Sequence, residues 1–338
     1  MLREAPGTPR GLETAIGRGN KGVLTVSQAT AWGELAMTAF MDRLAAAMRE
    51  KKSPLMVGLD PRVGSLPEPL KPAVGASLET VADAYREFCL GVIDAVADVT
   101  PIVKPQAAFF EQLGPAGMTA LKAVIDHAKR AGLLVCVDGK RNDIGSTAEG
   151  YADGWLGDAS PWGGDALTIS PYLGDDSLEP FTRVAAERDS GLFVLVKTSN
   201  PGGGTFQDKQ ADGRALYRRV GELVESISAE SAVQAGYGVA GAVVGATYPE
   251  QLSELRAAMP HSWFLIPGFG AQGGAASDVA GGFAEDGLGA VVNSSRGVIF
   301  AYNQQGGCYG PDEWRSAVRS AAEDAVTRLR AATPAGRL

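Results

Sequence analysis

The stretch LLVCVDGKRND (133–143) begins with five successive apolar residues and then becomes strongly polar. An uninterrupted apolar run of this kind indicates a strand that is buried on both faces, as strands are in a parallel sheet covered by helices. Seven further runs have the same character, so the sequence predicts eight buried strands. The other runs are LMVGLD (55–60), PIVK (101–104), DALTIS (165–170), LFVLVKT (192–198), GAVVGAT (241–247), WFLIPG (263–268) and GAVVNSS (289–295).

Amphipathic stretches separate these apolar runs. Within Ser77–Asp98 and Gly213–Glu230, apolar residues recur near the spacing of one helical face. Strands that alternate with such helices indicate an α/β fold with parallel β-α-β connections. Eight strands with intervening helices, in a catalytic region somewhat longer than the roughly 250 residues typical of the fold, predict a (β/α)8 TIM barrel rather than an open doubly wound sheet.

The chain is expected to consist of one domain and an N-terminal extension. Residues 1–37 mix Gly, Pro, Arg and Thr without sustained periodicity, so we expect them to lie outside the core. Organised structure is expected from Phe40 onward, because Phe40, Leu44 and Met48 recur on one helical face. Residues 38–335 are therefore assigned to a single TIM-barrel catalytic domain.

Composition and charge restrict the class of protein. The 338 residues are 45% hydrophobic and 21% charged, with a formal net charge of −8. This charge argues against a broad attraction to nucleic acid or to a membrane surface, so an anionic ligand would need a local cluster of cations. The three cysteines show no CxxC pairing, and neither a membrane-length apolar run nor a signal-peptide core is apparent. The sequence predicts a cytoplasmic protein.

Polar side chains follow the apolar runs, and TIM barrels carry their chemistry at these C-terminal strand ends. The densest group is Asp138-Gly-Lys140-Arg-Asn-Asp143, in which two carboxylates flank one ammonium. Asp138 and Lys140 are two residues apart, so on an extended strand both point to the same face and into the barrel mouth. Asp143 lies beyond the strand end, and Lys104 ends an earlier run. These four residues are the candidate catalytic groups.

The Asp138-x-Lys140-x-x-Asp143 motif, followed by Ile144 and preceded by the run that ends in Lys104, resembles the signature of the orotidine 5′-phosphate decarboxylase family. The similarity extends from about residue 40 to the end of the chain. Further segments resemble the second bacterial subfamily and occur in the family's order. They are VGLDP (57–61), VKPQAAFFE (103–111), SPYLGDDS (170–177), KTSNPG (197–202) and PGFGAQGG (267–274).

The resemblance implies an enzyme that converts orotidine 5′-phosphate to uridine 5′-phosphate and CO₂, the last step of UMP synthesis, without a cofactor or a metal. It implies that Lys104, Asp138, Lys140 and Asp143 form an alternating charge network, in which Lys140 protonates the pyrimidine. It also implies a homodimer with shared active sites, because the family draws Asp143 from the neighbouring subunit.

The same resemblance implies a set of substrate-binding residues. Asp60 and Lys104 would hold ribose hydroxyls, Ser199 would contact the pyrimidine, and Gln272 with Arg296 would bind the phosphate. Ile144 and Thr147 would cross the dimer interface beside Asp143.

The chemistry of the residues supports these roles independently. Loss of CO₂ leaves a carbanion on the ring, and a fixed ammonium such as that of Lys140 stabilises charge that exists only late in the reaction and can then donate a proton. TIM barrels frequently bind phosphate with the loops after strands 7 and 8. In those loops GFGAQG (268–273) offers exposed N–H groups, and Arg296 offers a guanidinium suited to bidentate pairing.

Other chemistries are less well supported. GFGAQG (268–273) also matches the GxGxxG motif of dinucleotide sites, but it follows the seventh strand, and the next strand ends in Asn293-Ser-Ser rather than in an acidic residue. His127 and His261 lie outside the strand-end groups, so neither a Ser-His-Asp triad nor a His-rich metal site is expected. Cys136 is expected to pack as a small apolar residue inside the third strand.

Two alternatives stay open. One is a phosphosugar decarboxylase or aldolase of the same superfamily, which shares the Asp-x-Lys-x-x-Asp motif but uses Mg²⁺. Those relatives resemble one another in having an acidic metal ligand at the end of strand 2, where this chain has Lys104, and a lysine there repels a divalent ion. The other alternative is a catalytically silent nucleotide-binding barrel. The presence of every charged catalytic residue argues against it.

Overall fold

Eight parallel strands close into a barrel in the computed structural model, which describes residues 39–270, 274–303, 310 and 312–338. Each strand pairs with the next along the chain, and the last pairs with the first. One strand overlaps each of the eight apolar runs, and the strands form a closed barrel, so the predicted TIM barrel is confirmed. The strands are β1 (Leu55–Leu59), β2 (Ile102–Pro105), β3 (Leu134–Arg141), β4 (Ala166–Ile169), β5 (Gly191–Lys197), β6 (Ala240–Val244), β7 (Phe264–Ile266) and β8 (Ala290–Ser294).

Helices occupy most of the connections between the strands. The α-helices are α1 (Phe40–Lys51), α2 (Leu78–Val96), α3 (Ala107–Glu111), α4 (Gly114–Arg130), α5 (Gly145–Trp155), α6 (Glu179–Glu187), α7 (Leu216–Glu230), α8 (Pro249–Ala258), α9 (Arg296–Ile299) and α10 (Trp314–Ala332). Short 3₁₀ helices cover Val63–Ser65, Glu68–Leu70, Pro201–Thr205, Ser277–Gly282, Ala301–Asn303 and Pro334–Arg337. A small antiparallel hairpin pairs Gln210–Ala211 with Arg214–Ala215.

The connection from β7 to β8 departs from the expected strand–helix repeat. Its described part contains the 3₁₀ helix Ser277–Gly282 and no α-helix. The segment ASDVAGG (276–282) ends in two glycines, which disfavour an α-helix. Gly281 also lies against α8, because a Cβ there would be only 2.0 Å from Ser253 Oγ.

The strands are buried on both faces, as their uninterrupted apolar runs predict. Met56, Ile102 and Cys136 belong to the cluster that fills the barrel interior. Their neighbours along the same strands, such as Val57 and Val135, belong to the cluster between the barrel and its helices. Alternating side chains therefore pack in two separate apolar layers, one on each side of the barrel wall. Cys136 packs as an apolar residue of the inner layer, as expected.

Helix α1 closes the end of the barrel opposite to the C-terminal strand ends. Phe40, Leu44 and Met48 are buried in the interior cluster, and the Phe40 ring meets the Phe193 ring edge-on at 6.3 Å between centroids. The helix approaches β5 so closely that a Cβ on Gly191 would be 2.2 Å from Phe40 Cδ1. Arg43 also donates a hydrogen bond of 2.7 Å to Asp165 Oδ1, just before β4.

Both histidines bind carboxylates on the outer layer of the barrel. His127 Nε2 lies 2.6 Å from Asp94 Oδ1, and His261 Nδ1 lies 2.7 Å from Glu225 Oε1. Their side chains therefore have structural partners away from the C-terminal strand ends. Within the described residues, no helix combines the length and apolar character needed to cross a bilayer.

Candidate active site

A cavity of about 210 Å³ opens at the C-terminal ends of the strands. One wall is polar and carries Lys104 of β2, Asp138 and Lys140 of β3, and Thr168 of β4. The rest of the lining consists of four apolar residues, Leu195, Val243, Leu265 and Pro267, and of the polar segment 198–200 that follows β5. The cavity is therefore suited to an organic group that has both apolar and polar parts, with a polar part facing the charged wall.

The Asp138 carboxylate is the centre of the polar wall. Its Oδ2 accepts hydrogen bonds from Lys104 Nζ at 2.6 Å and from Gln106 Nε2 at 2.9 Å. Its Oδ1 accepts a hydrogen bond of 2.9 Å from Thr168 Oγ1 and also pairs with Lys140 Nζ. Two ammonium groups and two neutral donors thus fix both oxygens, and the carboxylate holds the two lysines beside each other.

Burial and charge act in opposite directions on this ion pair. The side chains of Lys104 and Asp138 are only 6% and 8% exposed. Burial lowers the pKa of Lys104, but Asp138 and Asp60 outweigh it, so the pKa lies above its ordinary value. Burial raises the pKa of Asp138, but Lys104 and Lys140 outweigh it, so the pKa lies below its ordinary value. Both groups are therefore charged throughout the neutral pH range.

A β-bulge in β3 places the Lys140 side chain beside Asp138. The expected regular alternation of these two residues along an extended strand is therefore wrong. The register of β3 and β4 pairs Val137 with Leu167 and Arg141 with Ile169, so residues 138–140 all lie opposite Thr168. Lys140 has a left-handed backbone with φ of +45°, and it is not part of a regular extended strand. The two side chains share a face because the strand bulges, and simple alternation does not describe them.

A second, strongly polar cavity of about 230 Å³ adjoins the first and shares Pro267 with it. Asp60 and Arg296 both line it. Ser295 Oγ donates a hydrogen bond of 2.7 Å to Asp60 Oδ2, whereas Asp60 Oδ1 and Asn293 Oδ1 are buried without a hydrogen-bond partner in the described structure. Buried acceptors without donors favour a ligand that carries hydroxyl groups.

Two guanidinium groups face this second cavity, those of Arg296 and Arg62. Arg296 is exposed and forms no ion pair with any residue in the described parts of the chain. Arg62 lies with its Cζ 5.2 Å from the centre of the Phe109 ring. The cavity therefore offers guanidinium groups suited to an anion and, in Asp60 and Asn293, acceptors suited to hydroxyl donors.

Asp143, Ile144 and Thr147 lie outside both cavities in the single chain. Asp143 Oδ1 accepts a hydrogen bond of 2.9 Å from Ile144 N at the start of α5, and Asp143 forms no ion pair within residues 39–270 or the other described segments. Ile144 is 56% exposed, and Thr147 is exposed as well. One chain therefore brings together three of the four predicted catalytic residues and leaves Asp143 apart.

The remaining predicted residues follow β5 and β7. Ser199 lines the first cavity together with Thr198 and Asn200. Gln272 lies outside the described residues.

Sequence reasoning missed several residues of the two cavities. Gln106 and Thr168 bind the Asp138 carboxylate, while Asn293 and Arg62 line the second cavity. Thr168 is the one polar residue within the apolar core of the run ALTI (166–169), and this was the available signal. Gln106 and Arg62 each follow a proline just beyond a strand, in segments that also carry Lys104 and Asp60.

Comparison with known proteins gives consistent relatives. The profile of the family described as "Orotidine 5'-phosphate decarboxylase / HUMPS family" matches residues 53–306. An orotidine 5′-phosphate decarboxylase of Rhodopirellula baltica is 57% identical over 292 residues, covering 84% of this chain and 97% of that protein. One from Deinococcus radiodurans is 44% identical over 252 residues, covering 74% and 85%. The solved structure of Leishmania donovani OMP decarboxylase superposes with a TM-score of 0.69 at 33% identity, covering 87% and 98%.

Proposed function

Since the chain belongs to the orotidine 5′-phosphate decarboxylase / HUMPS family, we infer that its two adjoining cavities together hold orotidine 5′-phosphate. The chain is a carboxy-lyase that converts this nucleotide to uridine 5′-phosphate and CO₂ in UMP biosynthesis. The first cavity would receive the pyrimidine and the second the ribose 5′-phosphate. The assignment of the chain to the second bacterial subfamily stays a prediction from the sequence motifs.

The observation that best supports this function is the position of Lys104. Its ammonium lies at the C-terminal end of β2 and is bonded to Asp138 at 2.6 Å. A superfamily relative that uses Mg²⁺ would need an oxygen ligand at this position. Here the Asp138 oxygens already bind two ammonium groups, so a divalent cation would meet positive charge where it needs carboxylate. Lys104 therefore favours metal-independent decarboxylation over the Mg²⁺-dependent alternative.

The catalytic step that we propose centres on Lys140. When the bond between the ring carbon and CO₂ breaks, the electron pair remains on the ring, and the Lys140 ammonium stabilises it. A proton then moves from Lys140 Nζ to that carbon, which leaves a neutral amine that regains its proton from solvent. Asp138 supports this step because it binds Lys140 on one oxygen and Lys104 on the other, and so holds the donor in position.

The proposed substrate contacts involve residues of both cavities. The free Oδ1 of Asp60 would accept a ribose hydroxyl, with Lys104 nearby. Arg296 would bind the phosphate in a charge-assisted contact, and the proposal includes Gln272 as a second phosphate ligand. Ser199 would contact the pyrimidine from the loop after β5. Phosphate binding is remote from the chemistry, so its free energy can be used to order the site.

A homodimer with shared active sites belongs to the same proposal. In this assembly Asp143 reaches the partner's cavity, and Ile144 and Thr147 contact the partner beside it. Four exposed apolar side chains on the loops after β3, β4 and β5 support an interface on this face. They are Ile144 (56% exposed), Tyr172 (77%), Leu173 (46%) and Phe206 (62%).

Cytoplasmic location is also proposed, supported by the two free, buried cysteines Cys89 and Cys136.

The decisive experiment mixes the purified protein with orotidine 5′-phosphate in the presence of EDTA and follows the loss of orotate absorbance. Turnover at full rate with EDTA supports the proposal. Turnover that requires added Mg²⁺ would favour the metal-dependent relatives, and no turnover under either condition would favour the silent nucleotide-binding barrel. The Lys140→Ala variant is the matched control, because it removes the proposed proton donor.

A further inference from the structure

The hydroxyl group of Thr168 joins the backbone of Lys140 to the Asp138 carboxylate. Thr168 Oγ1 accepts a hydrogen bond of 3.0 Å from Lys140 N and donates one of 2.9 Å to Asp138 Oδ1. Because Lys140 Nζ pairs with that same oxygen, the three residues form a closed circuit of polar contacts. One hydroxyl thus contacts the main chain of the lysine and the group that binds its side chain.

The bulge in β3 explains why such a hydroxyl is needed. Three residues of β3, 138–140, lie opposite the single residue Thr168, so the regular ladder of backbone hydrogen bonds is interrupted there. A buried backbone N–H without a partner is costly. The Thr168 side chain replaces the missing carbonyl acceptor for Lys140 N, and the ladder resumes where Ser170 N donates to Arg141 O at 2.9 Å.

The backbone of Lys140 also needs this support. Its φ of +45° is an unfavourable region for a residue with a long side chain, and such conformations persist where surrounding contacts fix them. Thr168 is only 2% exposed and lies in the middle of β4, so its hydroxyl is fixed by the barrel wall. The contact therefore connects the left-handed turn to the buried wall of the barrel.

We propose that Thr168 is a positioning residue for Lys140. Its hydroxyl holds the bulge in the one conformation that directs the Lys140 ammonium toward both Asp138 and the cavity. This inference rests on the proposed role of Lys140 as the proton donor. Without the hydroxyl, Lys140 N loses its acceptor, Asp138 Oδ1 loses its neutral donor, and the ammonium samples positions from which it cannot protonate the substrate.

Three variants at this position separate the hydroxyl from the rest of the side chain. Thr168→Val keeps the shape, Thr168→Ser keeps the hydroxyl but loses the methyl group, and Thr168→Ala loses both. We expect kcat for orotidine 5′-phosphate to fall about 10- to 100-fold in the Val and Ala variants, the factor for one hydrogen bond to a charged group. The KM should change little, because the misplaced group acts in the transition state. The Ser variant should recover most of kcat.

Thr100 supplies a matched control at the opposite end of the barrel. Its buried hydroxyl donates to Ile102 O at 3.1 Å and also to Leu55 O, outside both cavities. Thr100→Val should lower the melting temperature and leave kcat unchanged. This control measures the effect of losing a buried hydroxyl that contributes only to stability.

The outcomes distinguish this inference from the proposed function on which it rests. A Ser variant as slow as the Ala variant, or a Val variant as fast as wild type, overturns the role of the hydroxyl. If Thr168→Val does not fold, the Ser and Ala pair decides, because both lack the methyl group and differ only in the hydroxyl. A wild-type protein without turnover, or an active Lys140→Ala variant, would instead contradict the proposed catalytic role of Lys140.

Discussion

Lys104 Nζ and Asp138 Oδ2 lie 2.6 Å apart, and both side chains are less than a tenth exposed. An ion pair buried to this degree is costly to break by removing one partner, because the other charge stays buried without that partner. The pair also couples the stability of the barrel to pH. Its two pKa shifts have opposite directions, so the coupling is expected at both ends of the pH range.

Acid should weaken the fold through Asp138. The pKa of Asp138 is lower in the folded protein than the value of about 3.9 expected for an unfolded aspartate. The native state therefore binds fewer protons, and the stabilisation is complete above that value and is lost as pH falls toward the folded pKa. Denaturant unfolding of wild type and Asp138→Asn at several pH values tests this. The difference in the free energy of unfolding should be constant above about pH 5 and narrow below about pH 4.

At alkaline pH the same pair should remain stabilising beyond the ordinary range of lysine. The pKa of Lys104 is higher in the folded protein than in an unfolded chain, so its contribution is fully present below about pH 10.4 and is lost only above that value. If the stability difference between wild type and Asp138→Asn already disappears near pH 8, both the acid and the alkaline predictions are contradicted.

Replacing Arg296 by Ala should weaken phosphate binding. The loss of a charge-assisted contact costs roughly 1.5–3 kcal/mol, so substrate affinity should fall about 10- to 100-fold. A nucleoside substrate without phosphate should be unaffected, because the lost partner is already absent. Arg130, exposed at the end of α4, is a suitable control for the change in net charge. Equal losses for both substrates would make Arg296 a structural residue.

Mixing two inactive variants tests the shared active site. In a heterodimer of Lys140→Ala and Asp143→Ala chains, one site has both defects and the other has neither, if the two residues of a site come from different chains. Random pairing then restores about a quarter of wild-type activity, which kinetics after subunit exchange can measure. A mixture of Lys140→Ala with Asp138→Ala should stay inactive, because these two residues share one chain. Absence of recovery in the first mixture, with exchange demonstrated, would assign Asp143 to its own chain.

Substitution of Gly191 should loosen the contact between α1 and β5. A Cβ at this position would be 2.2 Å from Phe40 Cδ1, so Ala forces the helix or the ring to move. Overpacking of this kind costs typically 1–3 kcal/mol, and the melting temperature should fall. Gly64→Ala is the control, because a Cβ at Gly64 meets nothing within 4 Å. Equal melting temperatures for the two variants would mean that α1 is not packed against the strand.

Removal of residues 1–37 tests the proposed domain boundary. If the barrel domain begins at residue 38, the shortened chain should keep the melting temperature and the turnover of the full chain. Calorimetry and the absorbance assay on both chains decide this. A large loss in either measurement would assign residues 1–37 to the core.

The fold could be read from the sequence because parallel strands covered on both faces leave a local signal. Runs such as LLVCV (133–137) are apolar at every position, and the order of such runs along the chain is also their order around the barrel. The described part of the connection after β7 lacks the α-helix that the strand–helix repeat predicts, because two glycines at the end of its 3₁₀ helix disfavour an α-helix.

The site could be predicted only in part. Asp138, Lys140 and Lys104 could be predicted to lie together because each is near the C-terminal end of a strand, and these ends converge in a barrel. Thr168 and Gln106 were not found, because their contacts with Asp138 depend on the register between neighbouring strands. The bulge at residues 138–140 depends on the same register, and the proposed position of Asp143 depends on a second chain.

The bulge in β3 has a consequence for protein engineering. A designer who transplants only an aspartate and a lysine two positions apart onto a regular barrel strand would not reproduce the left-handed turn at Lys140. The smallest portable unit consists of residues 138–140 with their two-residue offset from β4, together with a hydroxyl side chain opposite them at position 168. De novo barrels with idealised strands would need that irregularity built into the backbone before any active-site residue is chosen.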